Sequence, residues 1–568
     1  MITVEIPTRP KRQFVDEQLE VKSWSQIEAY FTNLLQSEIQ SVDDLQKWML
    51  NRSELESVLE EEQAWRYIKM NIDTTNEELS KSFQFWVSEI SPKVAPFTHQ
   101  LNLKVANSPF VRDLDQEKYR IYLRGLNKSI EIFREENIPL FTQLQTKQQE
   151  YGAIAAKMTI EVDGQTVTMQ KGAQFLKDND RVKRQEVYQK MSERRAEDVK
   201  KLDDLYDELI ALRQEVAKNA GFDNYRDYMF AAMGRFDYTP SDCFDFHQAI
   251  AKEIVPIIDG FDRERKEKLK LENYKPWDTA VDVEGKAPLK PFENGNDLID
   301  KSIRCFDKLS PYYGQCLSIM KAMKHLDLES KTGKAPGGFN YPLYEIGVPF
   351  IYMNAVGSQR DLVTMVHEGG HALHSFLSRD LEICDFKSTP SEVAELASMS
   401  MELLSMDYWN EFYTNDDELD RAKTEQMKKV LEGLPWIAAV DKFQHWIYTT
   451  PHTADERRQE WYNIMKIFGS SVVDWQGQEG ALHNLWQKQL HLYEVPFYYI
   501  EYGMAQLGAI AMWRSYKQHG HKALEAYNEA LKLGYTKSIN EIYQTAGIEF
   551  SFTQSYVKEL ADFVQSQF

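Results

Sequence analysis

Thr364-Met-Val-His-Glu-Gly-Gly-His-Ala-Leu-His-Ser-Phe376 sets two histidines four residues apart, with a glutamate directly after the first. On a helix, residues i and i+4 lie one above the other on a single face. His367 and His371 can therefore turn a ring nitrogen each toward one cation. Glu368 follows about 100° further round the helix, beside that cation and not on it, where it can hold a proton for a metal-bound water. Met365, Val366, Leu373, Phe376 and Leu377 surround the pattern with apolar surface, so the helix is expected to be buried. Ser358 followed by Asp361 is a capping-box pattern that gives the helix a defined start. Gly369 and Gly370 each cost a helix up to ~1 kcal/mol relative to Ala. A helix that must let a substrate backbone come close would need them.

A catalytic zinc takes three protein ligands, so one more must come from outside this stretch. Ser388-Thr-Pro-Ser-Glu-Val-Ala-Glu-Leu-Ala-Ser-Met-Ser-Met-Glu-Leu-Leu404 offers Glu392, Glu395 and Glu402 on a helix that Thr389 or Ser391 is expected to cap. Glu395 is flanked by Ala394, Leu396, Ala397 and Met399. A carboxylate in so apolar a stretch needs a partner, and a zinc ion would be one. Glu392 and Glu402 share its face and either orient the ligand imidazoles by hydrogen bonds or face solvent. His374 sits seven residues after His367, ~10 Å along the helix axis. That is too far to share the ion, so it reads as a core or supporting histidine. Further on, His491-Leu-Tyr-Glu-Val-Pro-Phe-Tyr-Tyr-Ile-Glu-Tyr-Gly503 gathers one histidine and four tyrosines. Tyr498 and Tyr502, or Tyr499 and Tyr502, would share a helix face. Phenols and an imidazole are donors that can stabilise a developing oxyanion, although an aromatic cluster is also ordinary core.

The chain has 568 residues, enough for two or more domains. Its 42% hydrophobic and 27% charged residues are ordinary for a globular protein. A net charge of -21, from 67 basic and 88 acidic residues, speaks against nucleic-acid binding, which needs a basic footprint. Cys243, Cys305, Cys316 and Cys384 form no C-x-x-C pair and read as reduced, mostly buried thiols. Met1 to Pro10 lacks an apolar core segment, and no run of 18 apolar residues occurs. Neither a secretory signal nor a membrane span is expected, which points to the cytoplasm.

Most of the remaining chain has helical periodicity. Residues 1 to about 20 look extended, since Pro7 and Pro10 block a helix. Helices are expected from Ser41 and from Thr74, with Leu45, Trp48, Met49, Leu55, Val58 and Leu59 as core stripes. Met158 to Met169 alternates around Asp163-Gly164, a β-hairpin signal with a type I′ turn. It suggests a division into an N-terminal helical lobe, 1–170, and a catalytic domain, 171–568. A long charged helical stretch spans 177–218. Gly221 ends a helix, Asp223 or Asn224 starts the next, and Thr239-Pro-Ser-Asp242 starts another. Pro276 to Pro291 reads as a surface loop. Lys334 to Tyr341 and Val348 to Asn354 read as strands beside the metal helix, forming either an edge that binds an extended peptide or a structural hairpin.

The metal stretch, Pro390-Ser-Glu-Val-Ala-Glu-Leu-Ala-Ser398 and the His491 to Gly503 segment together resemble the thimet oligopeptidase and oligoendopeptidase F family of zinc metallopeptidases. The likeness to its bacterial oligoendopeptidase members is especially close. It runs from about Leu212 to the end and includes Arg235-Phe-Asp-Tyr-Thr-Pro240, Pro349-Phe-Ile-Tyr-Met-Asn354 and Gly547-Ile-Glu-Phe550. Gly369 departs from the pattern, standing where many relatives carry Leu or Phe. The resemblance implies a mostly α fold: two helical lobes enclosing a deep substrate channel, with a small β-sheet next to the zinc-binding helix. It implies one Zn2+ per chain, held by His367, His371 and Glu395, with Glu368 as the general base. His491, Tyr498 and Tyr502 would hold the substrate and stabilise the transition state, and Tyr499 leaves the tyrosine alignment open by one position. The implied activity is hydrolysis of internal bonds in short unfolded peptides, without nucleic-acid or membrane partners. A helical zinc carboxypeptidase, a dipeptidyl carboxypeptidase and a non-catalytic peptide-binding protein are the alternatives.

Overall fold

The computed structural model describes residues 5–568. The first four residues of the extended stretch expected at the N-terminus lie outside the described residues, and 5–20 carry neither helix nor strand. The fold is mostly helical. Among the described residues five short strands interrupt the helices: β1 (Thr159–Val162), β2 (Gln165–Thr168), β3 (Leu326–Glu329), β4 (Phe339–Tyr341) and β5 (Phe350–Ala355). Two compact units are assembled from separated stretches of chain. The first takes residues up to Glu131, then Pro288–Glu425 and Met504–Phe550. The second takes Ile132–Ala287, Gln426–Gly503 and Ser551–Phe568. Residue 170, where the sequence suggests a linear division, lies inside the second unit.

In the first unit, Ser41 caps the helix Val42–Ile72 by accepting a hydrogen bond from the Asp44 N–H at 3.1 Å. Leu45, Trp48, Met49, Leu55, Val58 and Leu59 are buried along it as expected. The next helix, Glu77–Phe85, starts after Asn76 and not at Thr74. The Thr74 hydroxyl is taken by the Gly333 carbonyl at 2.8 Å, while Asn76, the stronger cap, accepts from Glu78 and Leu79. The sheet beside the metal helix has the order β3-β5-β4, parallel between β3 and β5 and antiparallel between β4 and β5. Its middle strand buries Phe350, Ile351, Tyr352 and Met353. β4 and β5 are the two strands expected from the sequence, β4 reduced to its last three residues and β5 starting two residues later and ending one residue later. β3 is not among the expected strands, since its four residues lack the aromatic side chains and the flanking Gly and Pro that mark the other two.

The metal-motif helix is Gln359–Ser378, with the expected capping box: the Ser358 N–H donates to Asp361 at 2.8 Å, and Ser358 Oγ accepts from the Asp361 N–H at 3.3 Å. It packs on the helix Ser391–Leu404. That helix has Pro390 at its N-cap and no side-chain cap, so neither Thr389 nor Ser391 plays that part. Both glycines are buried against protein and not open to a substrate's approach, Gly370 against this helix and Gly369 against Phe306 of the helix Gly295–Leu309. A Cβ on Gly370 would stand 2.5 Å from the Ala397 carbonyl oxygen and 2.6 Å from Ser398 Cα, and one on Gly369 would meet the Phe306 ring at 2.6 Å.

In the second unit, β1 and β2 form the expected two-residue hairpin, with Asp163 at φ 51° and Gly164 at φ 73°. Ile160, Val162 and Val167 pack on Val187 and Met191 of the helix Arg181–Glu197, which ties the hairpin to this unit. The long charged stretch is two helices, Arg181–Glu197 and Val199–Asn219, broken at Asp198. Gly221 at φ 88°, the Asn224 cap and the Thr239 capping box fall as expected. The Pro276 region is no simple surface loop, because buried Asp278 accepts from Arg181 and Arg184, each at 2.8 Å. Among the described residues no helix is long and apolar enough to cross a membrane.

Gly370→Ala is expected to destabilise the protein by ~1–3 kcal/mol, the usual cost of overpacking against backbone that cannot move. Gly152→Ala, on an exposed helical position with nothing within 4 Å of the added methyl, should instead gain ~0.5–1 kcal/mol. Chemical denaturation of the two variants beside the parent reads both signs.

Candidate metal centre

His367 and His371 project from one helix toward Glu395 of the next, all within the first unit. His367 Nε2 lies 3.4 Å and His371 Nε2 3.7 Å from Glu395 Oε2. Ligand atoms bound ~2.0–2.1 Å from one tetrahedral zinc lie about 3.3 Å apart, so the three donors have the separations such an ion needs. Each is also aimed from behind. Glu402 Oε1 sits 2.7 Å from His367 Nδ1, which leaves Nε2 for a metal. The His371 ring hydrogen-bonds the Ala394 backbone, and Ser398 Oγ donates to Glu395 Oε2 at 2.9 Å. Both imidazoles keep 20% of their side-chain surface exposed, whereas Glu395 is buried. The residues present fit a zinc ion.

The charge states diverge sharply over a few ångströms. Burial raises the Glu395 carboxyl, but His371 and His367 outweigh it and hold it down at about 2. Burial drives His371 to about 4, keeping it neutral as a ligand must be. Burial also lowers His367, but hydrogen bonds with Glu395 and Glu402 more than reverse this and hold it well above the usual imidazole range. Glu368 goes the other way: burial first, then the Glu395 charge, pushes it up to about 7, against the pull of His367 and an Asn340 backbone N–H. A carboxyl near neutrality beside a ligand set it does not join suits a proton carrier. His374 is buried with Nε2 lacking a hydrogen-bond partner, and burial takes it down to about 3. It is a neutral core histidine outside the ligand set.

His491, Tyr498, Tyr499 and Tyr502 come together within the second unit. The segment is not one helix. A short helix, Leu490–Glu494, breaks at Val495, and the next, Ile500–His519, starts after the two adjacent tyrosines. The tyrosines therefore share no helical face, yet their rings meet. Centroid distances are 5.2 Å for Tyr498–Tyr502, 5.5 Å for Tyr499–Tyr502 and 4.8 Å for His491–Tyr499. The break turns on Phe497 at φ 69°, an unusual state for a bulky residue. Gln444 accepts its N–H at 2.6 Å, and Arg235 donates to its carbonyl and, at 2.8 Å, to Glu501. Arg213 donates to the carbonyls of Leu492, at 3.0 Å, and Tyr493.

Sequence reading assigns no role to Gln444, Arg213 and Trp436, isolated residues without a motif, nor to Gln489, which stands two residues before His491 and just outside the aromatic segment. Arg235 stood inside a quoted segment without a role. Trp436 Nε1 donates to Gln489 Oε1 at 2.8 Å, and Gln489 Nε2 lies 2.7 Å from His491 Nδ1. An indole N–H only donates, so the amide must present its NH2 to the imidazole. His491 Nδ1 accepts, and the ring proton sits on Nε2. Burial lowers His491, which favours this neutral form.

The profile of Peptidase family M3 matches residues 174–562 and that of the Peptidase M3 N-terminal domain matches 14–133; the chain belongs to Peptidase family M3. It is 24% identical over 326 residues to oligopeptidase PepF of Bacillus subtilis, covering 55% of this chain and 46% of that protein. It is 23% identical over 309 residues to an oligoendopeptidase F homolog of Borreliella burgdorferi, covering 53% and 51%. The chain thus spans about half the length of the curated relatives it matches. The solved structure of PZ peptidase A with inhibitor 2 superimposes with a TM-score of 0.89 at 26% identity, over 98% of this chain and 99% of that one.

Gln489→Glu tests the relay from Trp436. A carboxylate there can only accept, so His491 must carry a proton on Nδ1 and its charged form is favoured. Imidazole NMR should show the His491 titration moving to higher pH, with Nδ1 protonated, while the parent stays in the Nε2–H form.

Proposed function

We propose that this chain is a zinc metalloendopeptidase that cleaves internal bonds of short unfolded peptides. The observation that carries the reading is Glu368, a buried carboxyl held near neutrality beside three converging ligands and outside their number. A zinc ion held by His367, His371 and Glu395 would supply Lewis acidity and bring the pKa of a water molecule down toward ~7. Glu368 accepts the proton of the attacking water and passes it to the departing amine. Its raised affinity lets it hold that proton between the two transfers. The Asn340 N–H, on strand β4, lies against it. β4 is an edge strand of its sheet, suited to pairing with an extended peptide.

His491, as an Nε2–H donor, and the phenols of Tyr498 and Tyr502 are assigned to holding the substrate and its developing oxyanion. The Tyr499 phenol, raised by burial, has hydrogen bonds with Trp436 and Gln489 and is assigned to supporting His491. Short peptides as substrates follow from the likeness to proteins named oligopeptidase and oligoendopeptidase. Four buried cysteines without a disulfide suit the cytoplasm, and the acidic chain is assigned neither nucleic-acid nor membrane partners. A peptide-binding protein without chemistry would have no use for a buried base.

An internally quenched peptide blocked at both ends should be cut at an internal bond, and a chelator should abolish this. Release of single residues or dipeptides only from unblocked C-termini would overturn the endopeptidase reading. Glu368→Gln should keep metal at this centre and lose at least ~10²–10⁴-fold in kcat, on the order of 3–6 kcal/mol of barrier. Glu395→Ala should lose the metal itself. Near-normal turnover in Glu368→Gln, or loss of its metal, would remove Glu368 from the role of base.

A further inference from the structure

A second cluster of side chains able to ligate a metal lies in the second unit, and the proposed reaction uses none of them. The helix Pro240–Ala249 carries Cys243 and His247, and the helix Asp416–Thr449 carries Asp441 and His445. Each pair is spaced i,i+4, so each helix turns two donors to one side. All four are buried: Cys243 and Asp441 at 0% exposure, His247 and His445 at 3%.

Ligand atoms of Cys243, Asp441 and His445 lie within 4.8 Å of one another. Asp441 Oδ2 is 2.8 Å from His247 Nε2 and 3.2 Å from His445 Nε2. Asp441 Oδ2 and His247 Nε2 hydrogen-bond each other, but other polar atoms of the cluster stay unpaired. His445 Nδ1, Asp441 Oδ1 and His247 Nδ1 have no hydrogen-bond partner. Rings of Phe244, Phe246, Phe468 and Phe497 pack around the two imidazoles. Buried polar atoms are ordinarily paired with protein or water, and so many idle donors and acceptors in one aromatic shell call for a common partner.

We propose that Cys243, His247, Asp441 and His445 hold a second divalent cation, zinc by its donor set. One thiolate, two imidazoles and one carboxylate are the ligand types zinc takes, and four of them close a tetrahedron with no position left for water. Thiolate and carboxylate together balance the dication. Such an ion is structural. It pins the helix of Cys243 to that of Asp441, and the His445 ring is 5.5 Å from that of Phe497, the left-handed residue that aims Tyr498 and Tyr499. A buried His–Asp–His arrangement without metal is the competing account.

The test uses the full chain, expressed without an affinity-tag metal and never exposed to chelator. His371→Ala, which disables the first centre, should still carry one equivalent of zinc by elemental analysis. Zinc X-ray absorption on that variant should show one sulfur scatterer at ~2.3 Å. Cobalt-substituted protein should show a thiolate-to-metal charge-transfer band that Cys243→Ser lacks, since the first centre contains no thiolate. A zinc-free His371→Ala, or a zinc shell of nitrogen and oxygen only, overturns the proposal. If His371→Ala fails to fold, the parent decides: two zinc ions averaging half a sulfur each uphold it, and one zinc without sulfur overturns it. If Cys243→Ser fails to fold, the sulfur scatterer alone decides. Loss of the first centre alone would leave the sulfur signal in place, so the two readings fail separately.

Discussion

The first unit's chemistry depends on how closely two helices touch. His367 and His371 follow from the pitch of a single helix, but Glu395 reaches the same point only if its helix lies against theirs. Gly370 permits this, since any side chain there would strike the backbone at Ala397 and Ser398. The Tyr527 hydroxyl donates to that same Ala397 carbonyl at 2.8 Å, fixing the contact from the far side. The seam also supplies the orienting groups, Glu402 for His367, Ala394 for His371 and Ser398 for Glu395. One contact thus sets the position and the direction of the three candidate ligands together.

The same seam separates the roles of two carboxyls of identical chemistry. Glu395 faces both imidazoles and stays ionised. Glu368 is turned about a quarter of the way round its helix, where burial dominates and Glu395 is a repelling neighbour. Environment, not residue type, sets the two carboxyls apart, and the roles proposed for them, ligand and proton carrier, rest on that difference.

What the sequence showed, and what it hid, follow the range of the forces involved. The capping box at Ser358, the type I′ turn at Asp163-Gly164 and the i,i+4 histidines are local, so their spacing carries them. Glu395 was legible because an acid among Ala, Leu and Met needs a long-range explanation. The glycines were misassigned to substrate access because sequence shows that a Cβ is missing but not what takes its place. The helical reading of Tyr498 to Tyr502 failed for a related reason. Periodicity cannot register one residue in the left-handed region, and Phe497 is an unlikely residue to find there. The discontinuous units were equally hidden, since they are defined by contacts between stretches far apart in the chain.

Phe497 shows how such a residue is kept in place. A bulky side chain at positive φ costs of order 1–3 kcal/mol and persists only where its surroundings over-determine it. Here both its peptide groups are held, the N–H by Gln444 and the carbonyl by Arg235, and its ring is fully buried. Arg235 in turn is paired with Glu501 and stacked on Phe230 and Tyr238, with its guanidinium 4.8 and 5.4 Å from those ring centroids. The break in the chain is therefore not slack between two helices. It is a fixed corner that brings Tyr498 and Tyr499, which precede the helix, onto Tyr502 within it. An uninterrupted helix would place Tyr498 and Tyr499 about 100° apart. The corner instead lets both rings face Tyr502 and His491, the arrangement a cluster of donors needs if it is to act on one group.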